Sequence, residues 1–396
     1  MNCKSNLIPI VLFLCALGTL QGATYYVSTG GSDSYPGTST APLRHLSYAA
    51  EVANQPGDMV VVMDGTYDNE GVVAPNFVVT LNYSGVPGQP ITFMAQHRGK
   101  AILDSENTST GTTCNGASAY FNLANASFIV IQGFVIQHAC DSGIQSNDNA
   151  HDILIRWNVI QYIGNHWATD QIGRDGIFLN NNEYNFTFDG NLFHDIGRTG
   201  GLSYNDLDHG IYAHSQNTTI INNVFYSISK GWAIQQADGA ANWLIANNTF
   251  AFPSAGNGQI MLWDNATNLT IENNIFYEPV SYAIERYTSV VSGCTINNNL
   301  VYGASSVVAD ASGCNTSANQ LGANPLFVNV ASLPYNFSLL ASSPAINEGM
   351  YLSKVTHDYL GHTRPRGATT DTGAFEYMGQ ARSLVPTPTY RLGPHR

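Results

Sequence analysis

The sequence predicts an all-β solenoid of short stacked strands, and three observations carry that expectation. Seven blocks align when the chain is slid against itself: FIVIQGFVIQ (128), DILIRWNVIQ (152), NFTFDGNLFH (185), NTTIINNVFY (217), NWLIANNTFA (242), NLTIENNIFY (268) and GCTINNNLVY (293). Their starts are separated by 24, 33, 32, 25, 26 and 25 residues. Within each block apolar and polar residues alternate, which is strand periodicity. The seventh position reads Phe134, Asn158, Asn191, Asn223, Asn248, Asn274 and Asn299. A period near 25 with two or three strands per unit implies coils that bury their apolar face only by stacking.

The elements follow in chain order. Residues 1–22 hold Lys4, then the 14-residue apolar run 7–20, then Gly22, and Ala23 follows. This reads as a cleaved secretory signal, too short to span a bilayer. The expected location is therefore secreted or periplasmic, with no membrane span. The formal charge is −13, and −14 once Lys4 is removed with the signal, which disfavours nucleic acid as a partner. Four cysteines remain, and in an exported chain they are expected to pair, nearest with nearest: Cys114 with Cys140 and Cys294 with Cys314.

Residues 23–71 read as a first strand, a Gly/Ser/Pro loop, a short helix near 45–54 that caps the open end, and the first coil. Between blocks lies a further short strand: SGIQS, DGIFL, HGIYA, WAIQQ, GQIML and YAIER. If Ile177, Ile211, Ile234, Ile260 and Ile284 point inward, alternation turns Phe178, Tyr212, Gln235, Met261 and Glu285 outward. Residues 358–377, DYLGHTRPRGATTDTGAFEY, read as a closing segment, and 380–396 as a flexible tail.

Together the entry segment, the Asn-marked blocks and the closing segment resemble a secreted right-handed parallel β-helix protein of the pectate-lyase-like superfamily. The resemblance covers most of residues 23–379. It implies a polysaccharide as partner and a monomer, and it specifies fold better than chemistry, because this fold hosts lyases, hydrolases, epimerases and adhesins.

Two intervals exceed the others by about eight residues. From the seventh-column residue to the second residue of the next short strand the gaps are 9, 18, 19, 10, 11 and 9. The extra length falls at one turn of adjacent coils, in 162–174 and 195–209, so these loops should project side by side. Long loops on a rigid scaffold are favoured sites of function. His166, Trp167, Asp170, Arg174, Arg198, Tyr204, Asp206, Asp208 and His209 gather there, and Lys230, the only lysine between Lys100 and Lys354, follows one coil later.

For β-elimination on a uronate-containing glycan, the resemblance implies a base that takes the proton at C5 and a group that neutralises the neighbouring carboxylate. By position, Lys230 or His209 is the base, Arg174 the neutraliser and Tyr212 the donor to the leaving oxygen. Trp263, Gln235, His214, Arg198 and Tyr204 would bind substrate. If a metal takes part it would be Ca²⁺, held by Asp206 and Asp208. The segment SYNDLDH (203–209) is similar to the Tyr, Asp and His segment of alginate epimerases, but Asp208 adjoins His209 with no Asp-Pro-His. The alternative is a glycoside hydrolase, with two carboxyl groups among Asp206, Asp208, Asp175 and Asp170. Between 166 and 230 three cations face seven acids, a balance that suits a neutral glycan better than a polyanion. A non-catalytic glycan-binding or surface β-helix predicts no such clustering.

Overall fold

The computed structural model describes residues 22–108, 112–147, 149–165, 172–198, 206–253, 259–287 and 291–379. The expected signal segment and tail lie outside them. Among the described residues three parallel sheets of 11, 9 and 10 strands run the length of the molecule, as a solenoid requires. Each sequence block supplies two strands. Its first half enters sheet I, as in His151–Arg156, and its second half enters sheet III, as in Val159–Gln161. The strand between blocks, such as Asp175–Leu179, enters sheet II. The insertions therefore join sheet III to sheet II.

The interior is filled by columns of like residues in register. Phe193, Phe225, Phe250 and Phe276 stack with ring centroids 4.7, 5.1 and 4.9 Å apart and planes within 10°. Ile177, Ile211, Ile234, Ile260 and Ile284 are wholly buried, as expected. Each such side chain contributes about 1.5–3 kcal/mol by leaving water. The capping helix α1 spans Leu46–Val52 and buries Leu46, Ala49 and Ala50. Cys114 pairs with Cys140 and Cys294 with Cys314, with Cα atoms 5.8 and 4.3 Å apart.

The seventh-column asparagines form a buried ladder at the turn between sheets I and III. Asn223 shows one rung. Its Oδ1 accepts the backbone N–H and the Nδ2 of Asn191, at 2.8 and 3.0 Å. Its Nδ2 donates to the Phe188 carbonyl at 2.9 Å and to Asn248 Oδ1 at 3.0 Å. The same pattern continues through Asn274 and Asn299 to Asn319. The residue before each rung is left-handed: Asn222, Asn247, Asn273 and Asn298 have φ of 58, 53, 58 and 52°. Asparagine tolerates that conformation better than most residues, which explains the Asn-Asn pairs in the repeat.

The closing segment runs back across this turn. Gly373 N–H donates to the Asn273 carbonyl at 2.7 Å, and Arg98 Nη1 donates to the Tyr359 carbonyl at 3.2 Å. A buried Arg364–Glu376 pair at 2.7 Å holds the segment together. With the ladder side occupied, the face of sheet II is left for the insertions.

Asn223→Ala is expected to lower stability by about 3 kcal/mol or more, because it strands several buried donors and acceptors. Asn217→Gly, on an exposed rung with φ of 55°, is expected to cost under about 1 kcal/mol. Urea unfolding of the two variants beside the parent checks both.

Candidate functional site

The described ends of the two insertions, 172–174 with 195–198 and 206–209, meet at the start of sheet II. Arg198 Nη2 of the second donates to the Ile172 carbonyl of the first at 3.1 Å. Arg174 Nη1 donates to the Ile172 and Gly173 carbonyls at 3.0 and 3.2 Å. Beyond them the outward column Phe178, Tyr212, Gln235, Met261 and Glu285 runs in register across five strands.

At the described ends of the insertions lies a buried ionic knot. Asp208 accepts from Arg198 Nε at 3.0 Å, from Arg198 Nη2 at 2.6 Å, and from the backbone N–H of Arg198 and Arg174 at 2.8 and 3.2 Å. Both side chains of the pair are fully buried. Arg174, with a side chain 4% exposed, pairs with Asp141 at 3.2 Å. This corrects the outward placement expected for Arg174, Arg198 and Asp208. The loop lengths placed them in projecting insertions, but the chain curls inward at the turn, and each ion finds its partner within the chain. Asp175 lies in the same knot. Burial, then the charge of Asp208, pushes its carboxyl well above the usual range.

Next to the knot His209 is 2% exposed. Its backbone N–H donates to Asp175 Oδ1 at 3.0 Å, and its Nδ1 accepts the backbone N–H of Trp232 at 3.1 Å. Accepting at Nδ1 leaves the ring neutral with its proton on Nε2. Burial holds its pKa down to about 3. The ring stacks between Tyr212 and Trp232, with centroids 5.4 and 5.7 Å away.

Lys230 sits on the turn clamped by these groups. Its carbonyl accepts the N–H of Leu207 at 2.8 Å and of Asp208 at 3.0 Å. Its φ is 63°, and a Cβ on the following Gly231 would collide with the Asp208 carbonyl and His209 Nδ1. The Lys230–Gly231–Trp232 turn is thus pinned to the end of the second insertion, and Lys230 itself is half-buried at its edge.

The groups left at the surface of sheet II are few. Tyr212 is half-buried and stacks on Phe178 at 5.8 Å with planes 4° apart. Burial, then Asp175 and Asp238, raises its phenol, so it keeps its proton. Asp206 is exposed, and burial of its carboxyl together with the charge of Glu285 raises its pKa. Glu285 accepts the Trp232 indole N–H at 2.8 Å. Trp263 stacks on Tyr287 at 3.9 Å, and His214 Nδ1 lies 3.3 Å from the Asp238 carbonyl. Gln235 belongs to the outward column but is only 5% exposed. Tyr204, with His166, Trp167 and Asp170, lies outside the described residues.

Two members, Glu285 and Trp232, were not among the expected site residues. Glu285 was legible from strand parity, because it extends the outward column of Tyr212. Trp232 was not, since its contact with Glu285 crosses the strand of Ile260–Leu262. The residues expected to hold Ca²⁺ do not fit a cation: the Asp208 oxygens are taken by N–H donors, and Asp206 stands apart at the surface. Among the described residues no group of three or more His, Cys, Asp or Glu converges on a point that could hold a metal.

Residues 25–252 match the family model described as Pel9A-like, right handed beta helix region, and residues 202–333 match a second right handed beta helix region. Pectate lyase L of Dickeya chrysanthemi is 35% identical over 81 residues, 20% of this chain and 19% of that protein. The chain thus matches about a fifth of the length of that curated relative. The crystal structure of pectate lyase Pel9A superposes with a TM-score of 0.62 at 18% identity, over 90% of this chain and 97% of that one. A glycoside hydrolase superposes at 0.50 and 8% identity, over 76% and 97%. At such identities these structures share the fold alone.

Arg198→Met is expected to cost about 3–5 kcal/mol by leaving Asp208 buried and unpaired, with part recovered in the Arg198→Met/Asp208→Leu double variant; thermal unfolding reads both. The His209 pKa is depressed, from 6.5 to about 3. The unfolded chain therefore gains a proton there first, so the contribution of His209 is full above pH 6.5 and is lost as the pH falls toward 3. Asp175, with a raised pKa, acts in the opposite sense, losing its contribution as the pH rises above its ordinary 3.8. Circular dichroism from pH 6.5 to 3 is accordingly expected to show a shallower loss of stability in His209→Gln than in the parent.

Proposed function

Because the chain belongs to the Pel9A-like right-handed β-helix family, we propose that it is a polysaccharide lyase acting on a uronate-containing glycan, with Lys230 as the base. The observation that carries this reading is the clamped Lys230 turn at the edge of sheet II. There a lysine is held by two backbone hydrogen bonds and a close glycine contact beside an aromatic face. A base fixed in that way contributes by proximity as well as by proton affinity.

The chemistry is a β-elimination. Lys230 Nζ, as the free amine, takes the proton from C5 of the uronate. The C–H electrons form the C4–C5 double bond, and the C4–O4 bond breaks. The leaving oxygen takes the phenol proton of Tyr212, which burial keeps protonated, and the proton on Lys230 returns to solvent or the phenolate. His209 is neutral and buried, so its part in this reading is to hold the Trp232 end of the turn. Phe178 and Tyr212 offer an aromatic surface for a sugar ring, and Trp263 with Tyr287 a second one. No step is routed through Ca²⁺. The two disulfides support export, since such bonds persist outside a reducing cytosol.

A second reading is hydrolysis. Asp206 and Glu285 face one another electrostatically, and the raised Asp206 carboxyl could serve as the acid of a carboxyl pair. It predicts new reducing ends with no unsaturated product, lost in Asp206→Asn.

Ultraviolet absorbance of unsaturated uronate ends is expected with pectin-type or alginate-type polymers. It should fall by about 10²–10⁴-fold in Lys230→Ala, the usual contribution of a positioned base. Unchanged absorbance in that variant would remove Lys230 from the role.

A further inference from the structure

The charges on the sheet II face bear on the state of the substrate's carboxyl groups. Between positions 101 and 353 the chain carries five Lys or Arg residues. Arg174, Arg198 and Arg286 have side chains 4, 0 and 7% exposed, paired with Asp141, Asp208 and Asp310. Arg156 lies at the turn between sheets I and III, with its guanidinium 4.5 Å from the Trp157 ring. Lys230 is the remaining one. The described cations outside this span sit near the capping helix, on the ladder side of the coils or in the closing segment.

Lys230 cannot serve two purposes at once. As the base it must be an uncharged amine when it takes the proton. At that moment the face presents the carboxyl groups of Asp206 and Glu285, with Asp238 near Tyr212, and the four N–H donors on Asp208 leave that residue no oxygen for a bridging cation. A free uronate would approach like charges, and loss of its C5 proton would build a second negative charge next to the first. An esterified carboxyl avoids both costs. It is neutral, its α-proton is more acidic, and its enolate carries one charge. The lining agrees, because Phe178 and Tyr212 on the outward column, both half-buried, suit an ester alkyl group.

We propose that the sheet II groove acts on polyuronides whose carboxyl groups are esterified, in preference to the free polyacid. The proposal rests on the lyase reading of the same groove. The bonds made and broken are those of the elimination above, and the ester passes through unchanged.

The test compares methyl-esterified polygalacturonan with the same polymer after enzymatic de-esterification, at pH 8 and low salt, with chelator and with added calcium. Ultraviolet absorbance is expected to give kcat/KM at least tenfold higher for the ester, with no dependence on chelator. Equal or faster cleavage of the free polymer, with or without calcium, would overturn the proposal while leaving a lyase. Calorimetry with Lys230→Arg supplies a second reading. That variant keeps a positive charge and so biases against the proposal, yet at least tenfold tighter binding of the ester is expected. If neither polymer is cleaved but this preference holds, the lyase reading falls and the carboxyl preference stands. If the variant binds the two polymers equally, or binds neither, the preference is refuted. Asp206→Asn and Glu285→Gln should each improve affinity for the free polymer several-fold, and an unchanged affinity would count against the charge argument.

Discussion

The rest of the structure depends on satisfying the backbone at one buried turn, repeated coil after coil. A parallel solenoid must bend its chain sharply between sheets I and III, and the bend buries peptide groups that strand pairing cannot reach. The Asn158-to-Asn319 ladder meets that need, with each amide bonding to the coil below and to the coil above. Because the rungs are coupled, every coil fixes the height of the next. Sheet II then becomes a registered surface on which side chains from different coils can be held in fixed relation.

That surface explains how the insertions can be long and still anchored. Each returns to sheet II through the buried knot of Arg174, Asp175, Arg198 and Asp208. An ion pair buried to this degree adds little net stability over apolar packing, but breaking it on one side is costly. Its effect here is positional. The N–H groups of Leu207 and Asp208 are presented to the Lys230 carbonyl, and His209 is presented to the Trp232 N–H. The candidate base is therefore held by the coil before it, largely through the buried Asp208 and His209.

Withdrawing the arginines at the ends of the insertions also sets the charge of the groove. The arginines that would attract a polyanion are spent on carboxylates of the chain itself, and beside Lys230 the groups that remain are mostly aromatic or carboxyl. The overall negative charge of the chain acts in the same direction. On the proposed reading, ring stacking and local hydrogen bonding select a glycan there more than long-range attraction does.

The sequence by itself determined the solenoid. The period, the alternation and the Asn column are local signals, and the inward Ile and Phe ladders follow from them directly. It also pointed to a candidate site at one turn, because the two extra loop lengths are visible as spacing. What it could not decide was which charged residues face out. Alternation holds within a strand but fails where the chain curls into a turn, and Arg174, Asp208 and His209 all lie at such points. Whether a side chain there is exposed depends on partners as distant in sequence as Asp141 for Arg174 or Trp232 for His209. The reach of the Trp232 indole to Glu285, across the strand between them, exists only once three coils are stacked. Burial and pairing are properties of the stacked coils, so only the tertiary structure could separate the ions that build the site from the few groups left to meet a substrate.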